Sequence, residues 1–431
     1  MERIGKYEIG RKLGEGASST VYLGRDPFAG RDVAVKLIAP EILKDSAKGR
    51  IYQHLLVNEA ALVGKLVHPH IVQIYDAVVD AAQSYIVMEY VAGGTLEPHC
   101  AADKLLPLER IVEIVFKCTR ALAYANRLGI THRDIKPANI LLAAAAGGSG
   151  GDIKISDFGA ALGADQTQTQ VTGIGSPAYM SPQQVQELPL DHRTDIWSLG
   201  VVMYQLLTGR LPFLAANNYG MVHQICNVDA PPPSTLRSDT PANLDAIVAR
   251  AMQRDPGARY GGWEEFSHDL AQAFRNRQVS VRRGDFADSD KFESLRALAF
   301  FAEFSDVEIW EAVRFSRWEA VAPETVIMRD GDPGDTFCFL LEGQLRVAKH
   351  GHTLSVLTPG ECFGEMAVIG RHGHGHVRGA DVVAQTMAKV VTISGEALRQ
   401  ASDACRMHFY AAFLDVLATR LTLANAWMAS A

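Results

Sequence analysis

Apolar residues change their spacing twice along this chain, and the change limits the folds open to it. Between residues 7 and 90 they fall in short runs, "YEIGRKLG", "STVYLGRD", "DVAVKLIA", "IVQIYDAVV" and "SYIVMEYV", with one helical stretch near 50–66. Such β-rich runs place alternate side chains on opposite faces of a strand. From about 105 to 275 the spacing becomes helical, as in "LERIVEIVFKCTRALAYANRLG" and "TDIWSLGVVMYQLLTG". One sheet-like pair, "NILLAAAAGGSGGDIKISDFG", interrupts the helices, and its "AAAAGGSGG" centre reads as a hairpin tip. Glycine-punctuated β-runs return from about 325 to 395, and an apolar-periodic helix, "MHFYAAFLDVLATRLTLANAW", follows. Strands and helices are segregated, so the expected class is α+β. The polar, charged segment 276–294, "NRQVSVRRGDFADSDKFES", reads as a linker between the two β-containing parts.

Several short motifs carry chemistry. "LGEGASSTVYLG" (13–24) is a glycine-rich turn between two β-runs, where backbone amides can come close to polyphosphate oxygens. Ser19 stands where a third glycine would be usual. "VAVK" leaves Lys36 at the end of an apolar strand, and Glu59 on the next helix could hold it by an ion pair. "THRDIKPANI" gathers Asp134, Lys136 and Asn139 in one loop, and "KISDFG" supplies Asp157. Two acids and an amide suit a hard divalent cation and a proton acceptor for a hydroxyl nucleophile.

In this order and at these spacings, the motifs resemble the eukaryotic-type protein kinase family, particularly its bacterial Ser/Thr branch, over residues 7–275. The resemblance implies a bilobal kinase fold, with a first lobe at about 7–90 and a second at about 91–275. It implies ATP and Mg²⁺ (or Mn²⁺) as cofactors and protein Ser/Thr hydroxyls as substrates. Leu13, Gly14, Gly16, Val21 and Ala34 would enclose the nucleotide, and Lys36 would bind its α/β-phosphates, paired with Glu59. Met88 would line the back of the adenine pocket, followed by a hinge from Glu89 to Val91. Asp134 would orient the substrate hydroxyl, Lys136 would steady the γ-phosphate, and Asn139 and Asp157 would hold the metal. Arg133 would grip a phosphate on the loop carrying Thr167, Thr169 and Thr172, with Thr172 best placed. Asp195 would brace the catalytic loop.

Two positions depart from the family pattern. Gly175-Ser176 replaces a Gly-Thr pair and keeps the hydroxyl. Ser181-Pro182-Gln183 replaces Ser-Pro-Glu, so Gln183 can hydrogen-bond Arg259 but cannot form a charged bidentate pair. A weaker anchor in the C-terminal lobe is therefore expected, without loss of chemistry.

After the linker, "TVIMRDGDPGDTFCFLLEGQLRVAKHG" (325–351) has Gly331, Gly334 and Gly343 between strands. With "PGECFGEMAVIG" and "VRGADVVA", it resembles the cyclic nucleotide-binding domain family over residues 295–428, a β-roll with flanking helices. The resemblance implies that Glu365 takes the ribose 2′-hydroxyl and that Arg378 pairs with the cyclic phosphate, helped by amides around Gly364 and Ala380. The ligand would be cAMP or cGMP. Gly379, where cGMP-preferring members tend to carry threonine, leans towards cAMP. Asp381 could compete for Arg378 when no ligand is bound.

The stretch between Glu365 and Arg378 is longer than the family's usual connection. It contains His372, His374 and His376 alternating with glycines. Flexible glycines fix no coordination geometry, so an exposed rim loop is a simpler reading than a metal tuft. A third reading has these histidines adding positive charge beside the pocket near pH 6.

A net charge of −7 gives no basic footprint for nucleic acid. The six cysteines form no CxxC pair and read as buried, reduced thiols. "MERIGKYEIG" lacks the apolar core of a signal peptide, and no run of about 18 apolar residues suggests a membrane span. A cytoplasmic protein is expected. A homodimer through the last helix stays open beside packing of that helix on the β-roll. The alternative function is a pseudokinase or scaffold whose C-terminal domain is a ligand-free interaction or dimerisation module.

Overall fold

A computed structural model describes residues 3–16, 19–39, 49–80, 83–143, 152–160, 162–163, 177–275, 288–369 and 377–430. The chain forms two compact units, Met1–Arg283 and Gly284–Ala431. Among the described residues, no helix is long and apolar enough to cross a membrane.

The first unit opens with an antiparallel six-stranded sheet, β1 (Arg3–Ile4), β2 (Tyr7–Glu15), β3 (Ser19–Asp26), β4 (Arg31–Ile38), β5 (Ile74–Val78) and β6 (Tyr85–Glu89). Its strand order is β1-β2-β3-β4-β6-β5. Val33 and Val35 pack on Tyr7, Tyr85 and Val87, which fixes which way β4 faces. The pleat then sends Ala34 and Lys36 to the other face. Ala34 lies opposite Met88 on β6, and Val21 on β3 lies opposite both Gly14 and Lys36. Directly opposed residues share a face, so these side chains line one surface of the sheet. The expected helix near 50–66 is shorter, Gly49–Ala60, with turn residues after it.

Helices follow from Leu108 onward. Helix Leu108–Arg127 buries most of its length, and helix Arg193–Thr208 is buried on nearly all sides, polar residues included. The sheet-like pair is present as antiparallel strands Ile140–Leu142 and Ile153–Ile155. Its tip, residues 144–151, lies outside the described residues.

In the second unit two four-stranded antiparallel sheets pack face to face. One orders its strands as Ser316–Val321, Ala388–Ser394, Thr336–Glu342 and Cys362–Phe363. The other orders them as Val326–Met328, Asp381–Ala384, Leu345–Lys349 and His352–Leu357. Met328, Cys338, Leu340, Leu345, Phe363 and Val390 share the core. The chain is thus α+β. A second apolar cluster joins Phe300, Phe301 and Phe304 to Phe337 and Phe339, and to Phe409 and Phe413 of the C-terminal helix Asp403–Ser430. That helix packs inward through these residues, while Met407, Leu414 and Leu421 stay exposed.

Two expectations change. The segment read as a linker at 276–294 ends in a helix, Asp288–Arg296. Its polar composition hid Phe292 and Leu295, one turn apart and fully buried, with Phe292 4.7 Å from the Trp310 ring. All six cysteines are free, but Cys100 and Cys226 are only half-buried.

Removing the Phe292 ring should therefore cost about 3–5 kcal/mol of stability in the second unit. Denaturant unfolding of Phe292→Ala, followed by tryptophan fluorescence, measures it. A change below about 1 kcal/mol would show that the helix is merely apposed.

Candidate active site and nucleotide pocket

Lys36 sits on β4 at the centre of a charged cluster. Its Nζ lies 3.0 Å from Glu59 Oε2 and also contacts Asp157 Oδ1. Burial alone would lower the Lys36 pKa, but the charges of Asp157 and Glu59 reverse this and hold the ammonium protonated. Burial pushes the Glu59 carboxyl up, with Lys36 opposing it. Lys36 pulls the Asp157 carboxyl down. Asp157 has φ +69°, a left-handed backbone that turns its carboxylate towards the lysine.

The loop before Asn139 is tied at several points. Asp195, on the buried helix Arg193–Thr208, accepts from the His132 and Arg133 amides at 2.7 Å each. Burial raises the Asp195 pKa, opposed by His132 and by those two amides. His132 Nε2 faces the Ser156 carbonyl at 3.0 Å and must therefore carry the proton. Its Nδ1 is left to accept from the Asp134 amide at 3.3 Å. Asp134 Oδ2 receives Lys136 Nζ at 2.7 Å and Asn139 Nδ2 at 3.1 Å. Asn139 Nδ2 also donates to the Asp134 carbonyl at 2.8 Å, which leaves Asn139 Oδ1 as the acceptor of that amide.

The structure therefore brings Lys36, Glu59, Asp134, Lys136, Asn139 and Asp157 into one connected region of the first unit. Gly14, Val21, Ala34 and Met88 lie on the sheet face that carries Lys36. Gly16 donates to the Ser19 carbonyl at 2.8 Å, closing the glycine-rich turn. A Cβ at Gly14 would meet no atom within 4 Å, so packing inside the protein does not demand glycine there. Leu13 precedes it on β2. Glu89 is engaged on its side chain by Lys154 at 2.9 Å and on its amide by the Gln73 carbonyl, just before Val91. Thr167, Thr169 and Thr172 lie outside the described residues.

In the second unit Glu365 and Arg378 are both buried. Arg378 donates to the Thr336 carbonyl and hydroxyl, both at 2.6 Å, and to the Gly364 carbonyl at 3.1 Å. Burial pulls its pKa below the usual arginine value, with Asp335 opposing. Glycine is required around it: a Cβ at Gly334 would collide with the guanidinium, and one at Gly364 would lie 2.8 Å from its Nη1. Glu365 Oε1 receives Arg420 Nη1, from the C-terminal helix, at 2.6 Å. Glu365 Oε2 is buried with no hydrogen-bond partner among the described residues. Asp381 accepts from the Asp330 amide at 2.9 Å, and no ion pair joins it to Arg378 among the described residues. Ala380, directly before Asp381, is half-buried, and residues 370–376 with the three histidines lie outside the described residues.

Residues 7–271 match the protein kinase domain. The chain belongs to the protein kinase family. Residues 318–404 match the cyclic nucleotide-binding domain. Among curated proteins, the chain is 35% identical over 294 residues to the serine/threonine-protein kinase PknB of Mycolicibacterium smegmatis, covering 66% of this chain and 44% of that one. It is 37% identical over 287 residues to a probable serine/threonine-protein kinase of Streptomyces coelicolor, covering 64% and 41%. A probable serine/threonine-protein kinase of Clostridium acetobutylicum is 33% identical over 273 residues, covering 63% and 40%. The chain thus spans less than half the length of these relatives. Family membership implies ATP and a divalent metal.

Within this kinase domain the Gln183–Arg259 contact is richer than expected. Gln183 Oε1 accepts from Arg259 Nη2 at 2.6 Å, while its Nε2 donates to the Arg254 carbonyl at 3.0 Å. Arg259 also reaches the Gln253, Arg193 and Arg254 carbonyls, and burial pulls its pKa down to about 10. A carboxylate at 183 would add charge but lose the donor to Arg254. Thr336 and Arg420 were not expected from the sequence. They stand 42 and 55 residues from the side chains they hold, and no local pattern marks them.

Gln183→Glu should accordingly change stability by less than about 1 kcal/mol, whereas Gln183→Ala should cost about 1–3 kcal/mol. Urea unfolding of the two variants beside the wild type tests this. A large gain in Gln183→Glu would restore the idea of a weak anchor.

Proposed function

We propose that the first domain transfers the γ-phosphoryl group of ATP to serine or threonine hydroxyls of proteins, and that the second binds a cyclic nucleotide, cAMP over cGMP, and modulates the transfer. The observation that carries the first half is the Lys36 ammonium held between Glu59 and Asp157, close in the fold to the Asp134–Lys136–Asn139 loop. A protonated lysine fixed by two carboxylates suits phosphate oxygens. Asp134 has no competing amide on Oδ1 among the described residues and would take the proton of an incoming hydroxyl, with Lys136 beside it to meet the γ-phosphate. Asn139 Oδ1 and the Asp157 carboxylate are hard oxygen donors of the kind Mg²⁺ or Mn²⁺ prefers. The bound ion would neutralise phosphate charge. Arg133 Nε is buried with no partner among the described residues, which supports its reading as the grip for a phosphate on Thr172 or its neighbours.

For the second half, Glu365 Oε2, without a partner among the described residues, supports a ribose hydroxyl as its donor, because a buried carboxylate oxygen left without one is costly. Glu365 also holds Arg420, so a ligand that draws on Glu365 would act on the C-terminal helix. That is a differential contact of the kind regulation needs.

Asp134→Asn should lower phosphate transfer from radiolabelled ATP to a protein substrate about a thousandfold while leaving ATP binding intact. Near-wild-type transfer in that variant would remove Asp134 from its role, and a wild type without transfer would favour the scaffold reading. In calorimetry, Arg378→Ala should weaken cAMP binding about a hundredfold, through loss of charge-assisted bonds to phosphate. Failure of the wild type to bind either nucleotide, or a transfer rate unmoved by both, would overturn the regulatory half.

A further inference from the structure

We propose that Gln184 is a positioning residue for Asp134, acting through the Arg133 carbonyl, and that it must be an amide. This rests on the phosphoryl-transfer reading of Asp134. Gln184 sits in the short helix Pro182–Val185, where Ser181 is the N-cap. Its Oε1 accepts from the Ser181 amide at 2.9 Å, and its own amide donates to Ser181 Oγ at 3.2 Å. That reciprocal pair is a capping box, and a glutamate would complete it equally well. The other end of the side chain does something a capping box does not require. Gln184 Nε2 donates to the Arg133 carbonyl at 2.9 Å.

Arg133 has φ +67°, a left-handed conformation that costs energy for a residue with a Cβ and persists only when its surroundings hold it. Its amide is held by Asp195 Oδ1 at 2.7 Å. Its carbonyl belongs to the peptide that leads into Asp134, and Gln184 holds it. The two bonds clamp this strained residue from both sides and set the direction in which Asp134 leaves it. Ser181 is fully buried and lies 3.3 Å from Thr194 Oγ1, next to Asp195, so the clamp has a rigid base. An ionised glutamate would keep the cap but present an oxygen to the carbonyl, with no hydrogen to donate.

The test compares the full-length wild type with Gln184→Glu and Gln184→Ala in steady-state transfer from ATP. At pH 8, Gln184→Glu should show kcat reduced about tenfold, the effect of losing one well-placed hydrogen bond, with KM for ATP unchanged. Its thermal midpoint should match the wild type's at low pH, where the neutral carboxyl both completes the cap and donates, and should be only modestly lower at pH 8 because the cap survives. Lowering the pH should restore the ratio of variant to wild-type kcat. A half-buried carboxyl facing a carbonyl oxygen titrates above its ordinary value of about 4.3, and its neutral form donates again. Asp134, Lys136, Asp157 and Asp195 are common to both proteins and cancel in that ratio. Gln184→Ala should be slow at every pH. An active wild type whose kcat is unchanged by Gln184→Glu at pH 8 would overturn the proposal alone. So would a pH-independent loss accompanied by a lowered thermal midpoint. A wild type that transfers no phosphate would overturn the reading beneath it and the proposal together.

Discussion

The buried carboxylate of Asp195 holds the first domain's chemistry in place. Its two oxygens take the His132 and Arg133 amides, so a helix enclosed by other helices dictates the course of a largely buried loop. Without that acceptor, two backbone donors would lose their partners at about 1–3 kcal/mol each. The left-handed turn at Arg133 would then relax, and with it the direction of Asp134. The His132 ring, fixed by the Ser156 carbonyl and by Phe158 at 4.4 Å, carries the same constraint across to the segment after strand Ile153–Ile155 that holds Asp157.

Cations held by several acceptors tie distant segments together at three places. Lys36 joins β4, the helix Gly49–Ala60 and the Asp157 turn. Arg259 gathers three backbone carbonyls and Gln183. Arg378 ties its own segment to Thr336 and to Gly364. Burial disfavours an unpaired charge strongly enough that such groups hold their partners in specific positions. The gain is geometric order more than net stability.

In the second unit the aromatic cluster does the corresponding work by packing. Phe409 and Phe413 dock on Phe300, Phe304 and Phe337, which sets the rotation of the C-terminal helix. Arg420 lies two turns beyond Phe413, and that rotation brings its guanidinium to Glu365 and to the Cys362 carbonyl. Apolar packing thus decides which charged groups can meet.

The sequence by itself determined the α+β class and the order of the motifs, because periodicity and turn chemistry are local properties. It also marked Lys36, Glu59, Asp134, Asn139 and Asp157, whose residue types are chemically conspicuous in their short contexts. The helix Asp288–Arg296 was hidden because two buried side chains among many charges leave almost no periodic signal. Thr336, Arg420 and the second hydrogen bond of Gln184 were equally silent. A threonine on a strand, an arginine late in a helix and a glutamine in a capping box are ordinary residues locally. Only the tertiary structure decided their partners, because each bond joins segments that strand register, aromatic packing or a strained turn first had to bring together.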